Sequence, residues 1–300
     1  MISIAMATYN GAKYLREQID SILAQTIQDF ELVVCDDCST DETFSILKEY
    51  ALRDNRVKVF CNEINWGFKK NFEKVIKLTQ GDYVALSDQD DIWTPDHLEV
   101  LMKEMRGEVQ IVCGKPLFVN ENNQKLPDEY DYFKMDYIPK DNDEHARHFF
   151  LGKSTYQGAS MLIKRDFFDT ALPIPDSVLY HDSWFVALAF FMGGIVYVDK
   201  YIMRYRRLSN SITYSERHMS AFRRFVRHTI HDNVLPDRLF IIQEIKDRLP
   251  YMNSTQVDFL STIEKMHLRK NSVWGRIINL PYRLYYFKSI YATDWKFLFY

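Results

Sequence analysis

The sequence predicts an α/β fold: a mainly parallel central sheet flanked by helices, continued by a C-terminal helical extension. Three observations lead there. Short apolar runs alternate with amphipathic segments of about 10 to 15 residues over the first 110 positions, the signature of strand–helix–strand crossovers. The residues directly after four of these runs are polar, and two groups carry clustered carboxylates, as expected where ligands meet the carboxyl ends of parallel strands. From Ser215 onward the pattern is helical to the end.

The elements follow in order. Ile2 to Ala7 is a buried-strand candidate, and Ala12 to Gln25 places Tyr14, Leu15, Ile19, Ile22 and Leu23 at helical spacing. Glu31 to Cys35 is a second strand. Asp41 to Leu52 is a helix with Phe44, Leu47 and Ala51 on one face. Val57 to Cys61, Lys69 to Thr79 and Tyr83 to Leu86 continue as strand, helix and strand, and Pro95 suits the first turn of a helix running to Glu104. Beyond this, Ile111 to Val119 reads as a strand and Asn120 to Asp143 as a polar loop. His145 to Leu151 is a short helix, Gly158 to Lys164 a strand and Asp182 to Met192 a helix. Ile195 to Val198 and Ile202 to Tyr205 are two short strands.

Composition narrows the class. The chain has 300 residues, 38 basic and 41 acidic, for a net charge of −3, which excludes a strongly basic nucleic-acid binder. Apolar residues at 47% and charged residues at 26% are ordinary globular values. Four cysteines are too few for a disulfide scaffold. The start, Met1 to Met6, has no basic segment followed by a long apolar run, so a reducing, cytoplasmic location is expected. The uncharged stretch from Ser183 to Val198 is short for a membrane span and is broken by Gly193-Gly194, so it reads as a core helix followed by a strand.

Chemistry concentrates after the strands. Asp88, Asp90 and Asp91 lie within four positions behind an apolar strand. Such a group holds together cheaply in water or around a cation, and oxygen ligands suit Mg²⁺ or Mn²⁺ shared with a substrate's phosphates. A solvated acidic turn ahead of Pro95 is the plain alternative. In Asp36-Asp37-Cys38-Ser39-Thr40-Asp41, Asp37 is placed to accept hydrogen bonds from a base or ribose, Asp36 to be structural, and one of the last three residues to cap the next helix. Cys35 and Cys38 read as two packed thiols rather than a redox or zinc pair. In Thr8-Tyr9-Asn10-Gly11, Tyr9 offers a ring for stacking, Gly11 permits a close turn, and Asn10 is a candidate cap.

Together with Asn65-Trp66-Gly67-Phe68-Lys69-Lys70-Asn71-Phe72, Gly81 to Trp93, Gln157-Gly158-Ala159-Ser160-Met161, His181-Asp182-Ser183-Trp184 and Tyr205-Arg206, these segments resemble the inverting glycosyltransferases of family 2, with the GT-A fold, over about residues 1 to 213. The Asp88-to-Trp93 and His181-to-Trp184 segments look most like the branch holding bacterial rhamnosyltransferases and related polysaccharide enzymes. The resemblance implies a nucleotide-sugar-binding half at 1–110, an acceptor-binding half with the catalytic base at 111–214 and a helical extension at 215–300. It implies nucleotide contacts from Thr8, Tyr9, Asn10, Asp37, Asn65, Gly67, Asn71 and Asp88, and a Mg²⁺ or Mn²⁺ ligand at Asp90. Donor-sugar or acceptor contacts would come from Asp91, Trp93, Gly158, His181 and Trp184, a diphosphate contact from Arg206, and the general base from Asp182. Helix capping is the other role open to Asp182.

Three positions depart from the family. Cys38 stands where glycine is usual, so the turn must accept a side chain. Leu208 stands where a histidine is often found, and His181 replaces an acid. The resemblance further implies a nucleotide-sugar donor, with dTDP-L-rhamnose or a UDP-sugar foremost, and a glycan or lipid-linked acceptor in bacterial surface polysaccharide synthesis. No nucleic-acid partner is expected. A sugar nucleotidyltransferase would need a glycine-rich, arginine-containing loop, and none follows Ala7. A catalytically inactive nucleotide-sugar-binding protein would have no need of Asp88, Asp90 and Asp182. Trp274 to Tyr300 mixes aromatic and basic residues, which suits peripheral contact at the inner face of the cell membrane through 270–300, or packing on protein.

Overall fold

The computed structural model describes residues 1–127, 138–151, 156–208 and 234–269. The expected membrane contact through 270–300 and the first part of the expected helical extension lie outside these residues, as does part of the polar loop after Asn120.

The chain forms two units. The first comprises Met1–Tyr132, Tyr156–Pro175 and Tyr180–Arg207 and is built on one eight-stranded sheet. Its strands are β1 (Ile2–Thr8), β2 (Phe30–Asp36), β3 (Val57–Cys61), β4 (Tyr83–Ser87), β5 (Ile92–Trp93), β6 (Ile111–Val119), β7 (Met161–Lys164) and β8 (Ile195–Arg206). They lie in the order β3-β2-β1-β4-β7-β6-β8-β5. The β1–β2, β2–β3, β1–β4 and β6–β8 pairs are parallel, and the β4–β7, β6–β7 and β5–β8 pairs are antiparallel. Strands from both 1–110 and 111–207 therefore contribute to this sheet.

The helices of this unit are α1 (Ala12–Leu23), α2 (Thr43–Arg53), α3 (Phe68–Leu78), α4 (His97–Glu104), and, after α5 of the second unit (Asn142–Leu151), α6 (Phe167–Ala171) and α7 (His181–Met192). β1 and β2 are buried almost throughout, as parallel strands covered on both faces must be. α1 turns Leu15, Ile19 and Ile22 fully inward onto Ile4, Leu32 and Val34 in one core cluster. Burying each such aliphatic side chain is worth about 1.5–3 kcal/mol.

The strand and helix order up to β4, and α4 after it, follows the sequence pattern. β8 differs: it is one strand of 12 residues, not two. Its exposed middle, Asp199-Lys200-Tyr201, reads as a break, but register shifts around Lys115 in β6 absorb the irregularity and keep the pairing. Gly158 to Ser160 is a 3₁₀ turn leading into β7 rather than part of the strand. β5 and α6 had not been expected from the sequence.

The second unit comprises Phe133–Thr155, Asp176–Leu179 and Leu208–Tyr300. Among its described residues are α5, α8 (Val234–Arg248) and α9 (Ser254–Arg269). Lys246 joins Glu264 at 2.6 Å, the Arg238 guanidinium lies 3.6 Å from the centre of the Phe149 ring, and a His267 ring nitrogen lies 3.1 Å from the Phe150 carbonyl oxygen. No helix among the described residues is long and apolar enough to cross a membrane. The uncharged stretch from Ser183 to Val198 is divided between α7 and β8.

Candidate functional site

Parallel strands end together, and their polar sequels meet. At the end of β1 the Thr8 hydroxyl donates to Asp36 Oδ1 at 2.9 Å. Asp36 also accepts the Ser39 amide at 2.9 Å and the Ser39 hydroxyl at 2.6 Å, and it is fully buried. It is the structural aspartate of the pair. Asp37 accepts the Asn62 side-chain amide (2.7 Å) and the backbone amides of Trp66 (2.8 Å) and Gly67 (2.7 Å). Its carboxylate thus holds the start of α3, where amide groups lack partners within the helix. Three donors leave one of its acceptor positions unfilled, on a residue that is 2% exposed.

The neighbouring polar residues brace this arrangement. Asn71 is buried, donating to the Cys35 carbonyl at 2.8 Å and accepting from Asn62 at 3.0 Å. Asn65 is exposed and accepts the Gly67 amide at 2.9 Å, while Gly67 takes φ +80°, which favours glycine. Asn10 has φ +48° and does not cap α1. Its side-chain oxygen accepts the Thr40 amide at 2.8 Å and its own amide donates to Ser39 at 2.9 Å.

The N-cap position of α2 is Glu42, and of the three candidates it is Asp41, one residue earlier, that meets helix-start amides, accepting Thr43 N–H at 2.9 Å and Ala12 N–H at 3.1 Å. Burial pushes the Asp41 carboxyl up, but these hydrogen bonds outweigh it and leave the pKa lowered. Cys38 has φ +63°, so the turn does accept a side chain in the left-handed region, at a cost. Cys35 and Cys38 are free thiols, and burial raises Cys35 to about 11.

Beyond β4 lies the carboxylate loop. Asp88, Gln89 and Asp90 are half-buried and Asp91 is 1% exposed. Burial, then the Asp90 and Asp182 charges, push Asp88 up to about 7. Burial pushes Asp90 up to about 6 against a backbone hydrogen bond and the Arg206 charge. Asp91 is raised well above the ordinary carboxylate value, by burial and by its two acidic neighbours. Its Oδ1 accepts the Arg206 backbone amide at 3.1 Å, and its buried Oδ2 has no partner.

Arg206, expected on a diphosphate, is instead committed within the protein. Its Nε donates to the Asp90 carbonyl at 3.0 Å and its Nη1 to the Glu121 carbonyl at 2.8 Å; its Nη2 pairs with Glu17. The guanidinium lies 4.4 Å from the centre of the Tyr14 ring and is almost wholly buried. It braces the carboxylate loop from behind.

α7 brings the remaining groups. Asp182 lies in its first turn, where Oδ1 accepts the Ser183 amide at 2.6 Å. A Cβ on Gly158 would come within 3.8 Å of Asp182 Oδ2 and 3.2 Å of His181 Nε2, so this glycine lets α7 approach the 3₁₀ turn. His181 stacks on Phe72 at 4.2 Å, and burial lowers its pKa to about 3, so the ring is neutral.

Two tryptophans depart from expectation. Trp184 is fully buried and donates its indole N–H to the Ala171 carbonyl at 2.8 Å. Trp93 is 3% exposed, belongs to the main core cluster and stacks on His97 at 3.8 Å. Both sit in the protein interior instead of lining a ligand surface, and neither is carried into the site.

The donor set fits a hard divalent cation. Asp88 and Asp90 supply oxygen atoms whose ionisation is resisted by burial, and a cation would relieve that resistance. Among the described residues no group of three acidic, histidine or cysteine side chains forms a complete metal cage. The protein would supply one or two ligands, and phosphate and water the rest.

Sequence reasoning missed Gln89. Its carboxamide accepts the Tyr9 amide at 2.8 Å and donates to the Tyr9 carbonyl at 2.9 Å, tying the β1 loop to the carboxylate loop. The signal was its place between two aspartates, yet a partner 80 positions away leaves no local pattern.

Comparison with known proteins gives a consistent picture. A family profile described as "Glycosyl transferase family 2" matches residues 3–172. The Escherichia coli UDP-Glc:alpha-D-GlcNAc-diphosphoundecaprenol beta-1,3-glucosyltransferase WfgD is 32% identical over 124 residues, covering 41% of this chain and 48% of that protein. S. aureus TarS 1-349 in complex with UDP-GlcNAc superposes with a TM-score of 0.62 at 20% identity, covering 94% of this chain and 76% of that one. The mannosyltransferase PcManGT from Pyrobaculum calidifontis, in complex with GDP-Man and Mn²⁺, gives 0.56 at 17%, covering 99% and 76%. These two structures share the GT-A fold with the chain. The chain spans less than half the length of several curated relatives that it matches.

Proposed function

The chain belongs to glycosyl transferase family 2, and on that premise we propose that it moves a sugar from a nucleoside-diphosphate donor to a hydroxyl of a glycan or lipid-linked acceptor, with inversion, in bacterial surface polysaccharide synthesis. The acceptor oxygen attacks the anomeric carbon as the bond to the diphosphate breaks, and the hydroxyl proton passes to Asp182. Holding both reactants in line supplies much of the rate. Tyr9 carries the base, Asp37 offers its remaining acceptor position to base or ribose, and Thr8, Asn10, Asn65 and Asn71 shape the loops around them. Gly158 and His181 border the acceptor side beside Asp182. Asp88 and Asp90 would hold Mg²⁺ or Mn²⁺, which when bound stabilises the charge of the leaving diphosphate.

The observation that carries this reading is electrostatic. Asp182, from far along the chain, is among the charges that raise Asp88. Its charge reaches the Asp88 carboxyl, which supports placing the base on the same side of the fold as the donor site. The WfgD name, with its UDP-Glc donor and diphosphoundecaprenol-linked acceptor, supports the substrate classes. A UDP-sugar or dTDP-L-rhamnose is the donor we favour, with work at the inner face of the cell membrane.

A panel of UDP-sugars, GDP-sugars and dTDP-L-rhamnose with Mn²⁺ tests the donor class by calorimetry. With the best donor, Asp182→Asn is expected to lower turnover about a hundredfold or more while donor affinity stays within twofold. Near-normal turnover would remove Asp182 from the base role, and no binding across the panel would defeat the donor assignment.

A further inference from the structure

We propose that Gln89 is a positioning residue for the nucleotide base: through the main chain of Tyr9 it sets that ring as the platform on which the base stacks. The proposal rests on the glycosyltransferase reading above.

β1 ends at Thr8, so the sheet ladder no longer fixes the backbone of Tyr9. The Gln89 carboxamide takes over, meeting both the N–H (2.8 Å) and the C=O (2.9 Å) of the one residue. Only an amide side chain of this length does both. A glutamate offers no donor to the carbonyl, and an asparagine is one methylene short. On the far side, Asn10 is held at φ +48° by Ser39 and Thr40. Gly11 completes the seat, since a Cβ there would overlap the Gln89 carboxamide.

Tyr9 is thus gripped from both sides by its backbone while its side chain, 45% exposed, stays open to a ligand. A main chain fixed in advance leaves only the side-chain rotamer to order when a base arrives. Gln89 itself sits between Asp88 and Asp90, so one loop fixes both the carboxylates and the stacking platform.

Titration calorimetry with UDP, dTDP and GDP in EDTA reads the base site without a cation. Gln89→Ala and Gln89→Glu are expected to weaken the best-bound nucleotide about tenfold, with thermal midpoints close to that of the parent protein. Gly11→Ala, which leaves Gln89 in place but displaces its carboxamide, is expected to do the same. Because Gln89 acts through the ring, Tyr9→Ala and the Tyr9→Ala/Gln89→Ala double variant should bind equally weakly. Parent-like affinity in the Gln89 and Gly11 variants, or full additivity with Tyr9→Ala, would overturn the positioning role alone. Failure of the parent protein to bind any of the three nucleotides would overturn the nucleotide reading and this proposal with it.

Discussion

Replacing Asp88 by asparagine is expected to stabilise the cation-free protein at alkaline pH. In the fold the Asp88 carboxyl stands at about 7, against 3.8 for the ordinary group. The folded state therefore holds protons that the unfolded chain releases, and stability falls as pH rises from about 4 through 7. Each pH unit between the two values is worth about 1.4 kcal/mol, so ionising this site above pH 7 costs on the order of 4 kcal/mol. Asp90 and Asp91 share the field, so one neutral replacement relieves part of it, about 2 kcal/mol.

For a chain of 300 residues that corresponds to roughly 3 °C in thermal midpoint. The assay is thermal unfolding in EDTA at pH 5, 6, 7 and 8. The advantage of Asp88→Asn should be small at pH 5 and largest at pH 8. Mn²⁺ should then raise the midpoint of the parent protein more than that of the variant, because a bound cation offsets the same repulsion. An advantage that does not grow with pH, or a variant less stable than the parent at pH 8, would refute the electrostatic reasoning.

Two further outcomes are expected. Asp90→Ala should abolish the Mn²⁺-dependent part of nucleoside-diphosphate binding while leaving binding in EDTA intact; titrations with and without Mn²⁺ check this, and an unchanged Mn²⁺ effect would exclude Asp90 as a ligand. Arg206→Lys cannot meet the Asp90 and Glu121 carbonyls together with Glu17. It should cost about 2 kcal/mol in urea unfolding, given about 1.5–3 kcal/mol for a hydrogen bond to a charged group, and a neutral effect would show that the clamp is dispensable.

The first half of the fold was legible because buried parallel strands are continuous apolar runs and the crossover helices keep a clean period, as Leu15, Ile19 and Ile22 illustrate. β5 has two residues and α6 five, too short to display any period. β8 looked broken because Asp199 and Lys200 are exposed at a register shift, which only its partner strand reveals.

In the site, the clustering of Asp36, Asp37, Asp88, Asp90 and Asp91 after strands was readable, since topology alone brings strand ends together. Which way a side chain points was not. Trp93 and Trp184 sit in the same short segments as the acidic residues, yet pleat and helix phase turn both into the interior. Arg206 could not be separated from a ligand-facing arginine by sequence, because its partners Glu17, Asp90 and Glu121 are far apart along the chain.

The three-donor grip on Asp37 bears on any attempt to retrain this protein toward a different nucleotide. An engineer's first impulse would be to alter that aspartate, but doing so releases the opening turn of α3 along with the intended contact. On the proposed reading, changes in base preference have more room at Tyr9, whose exposed side chain carries none of the hydrogen bonds that tie its loop to Gln89.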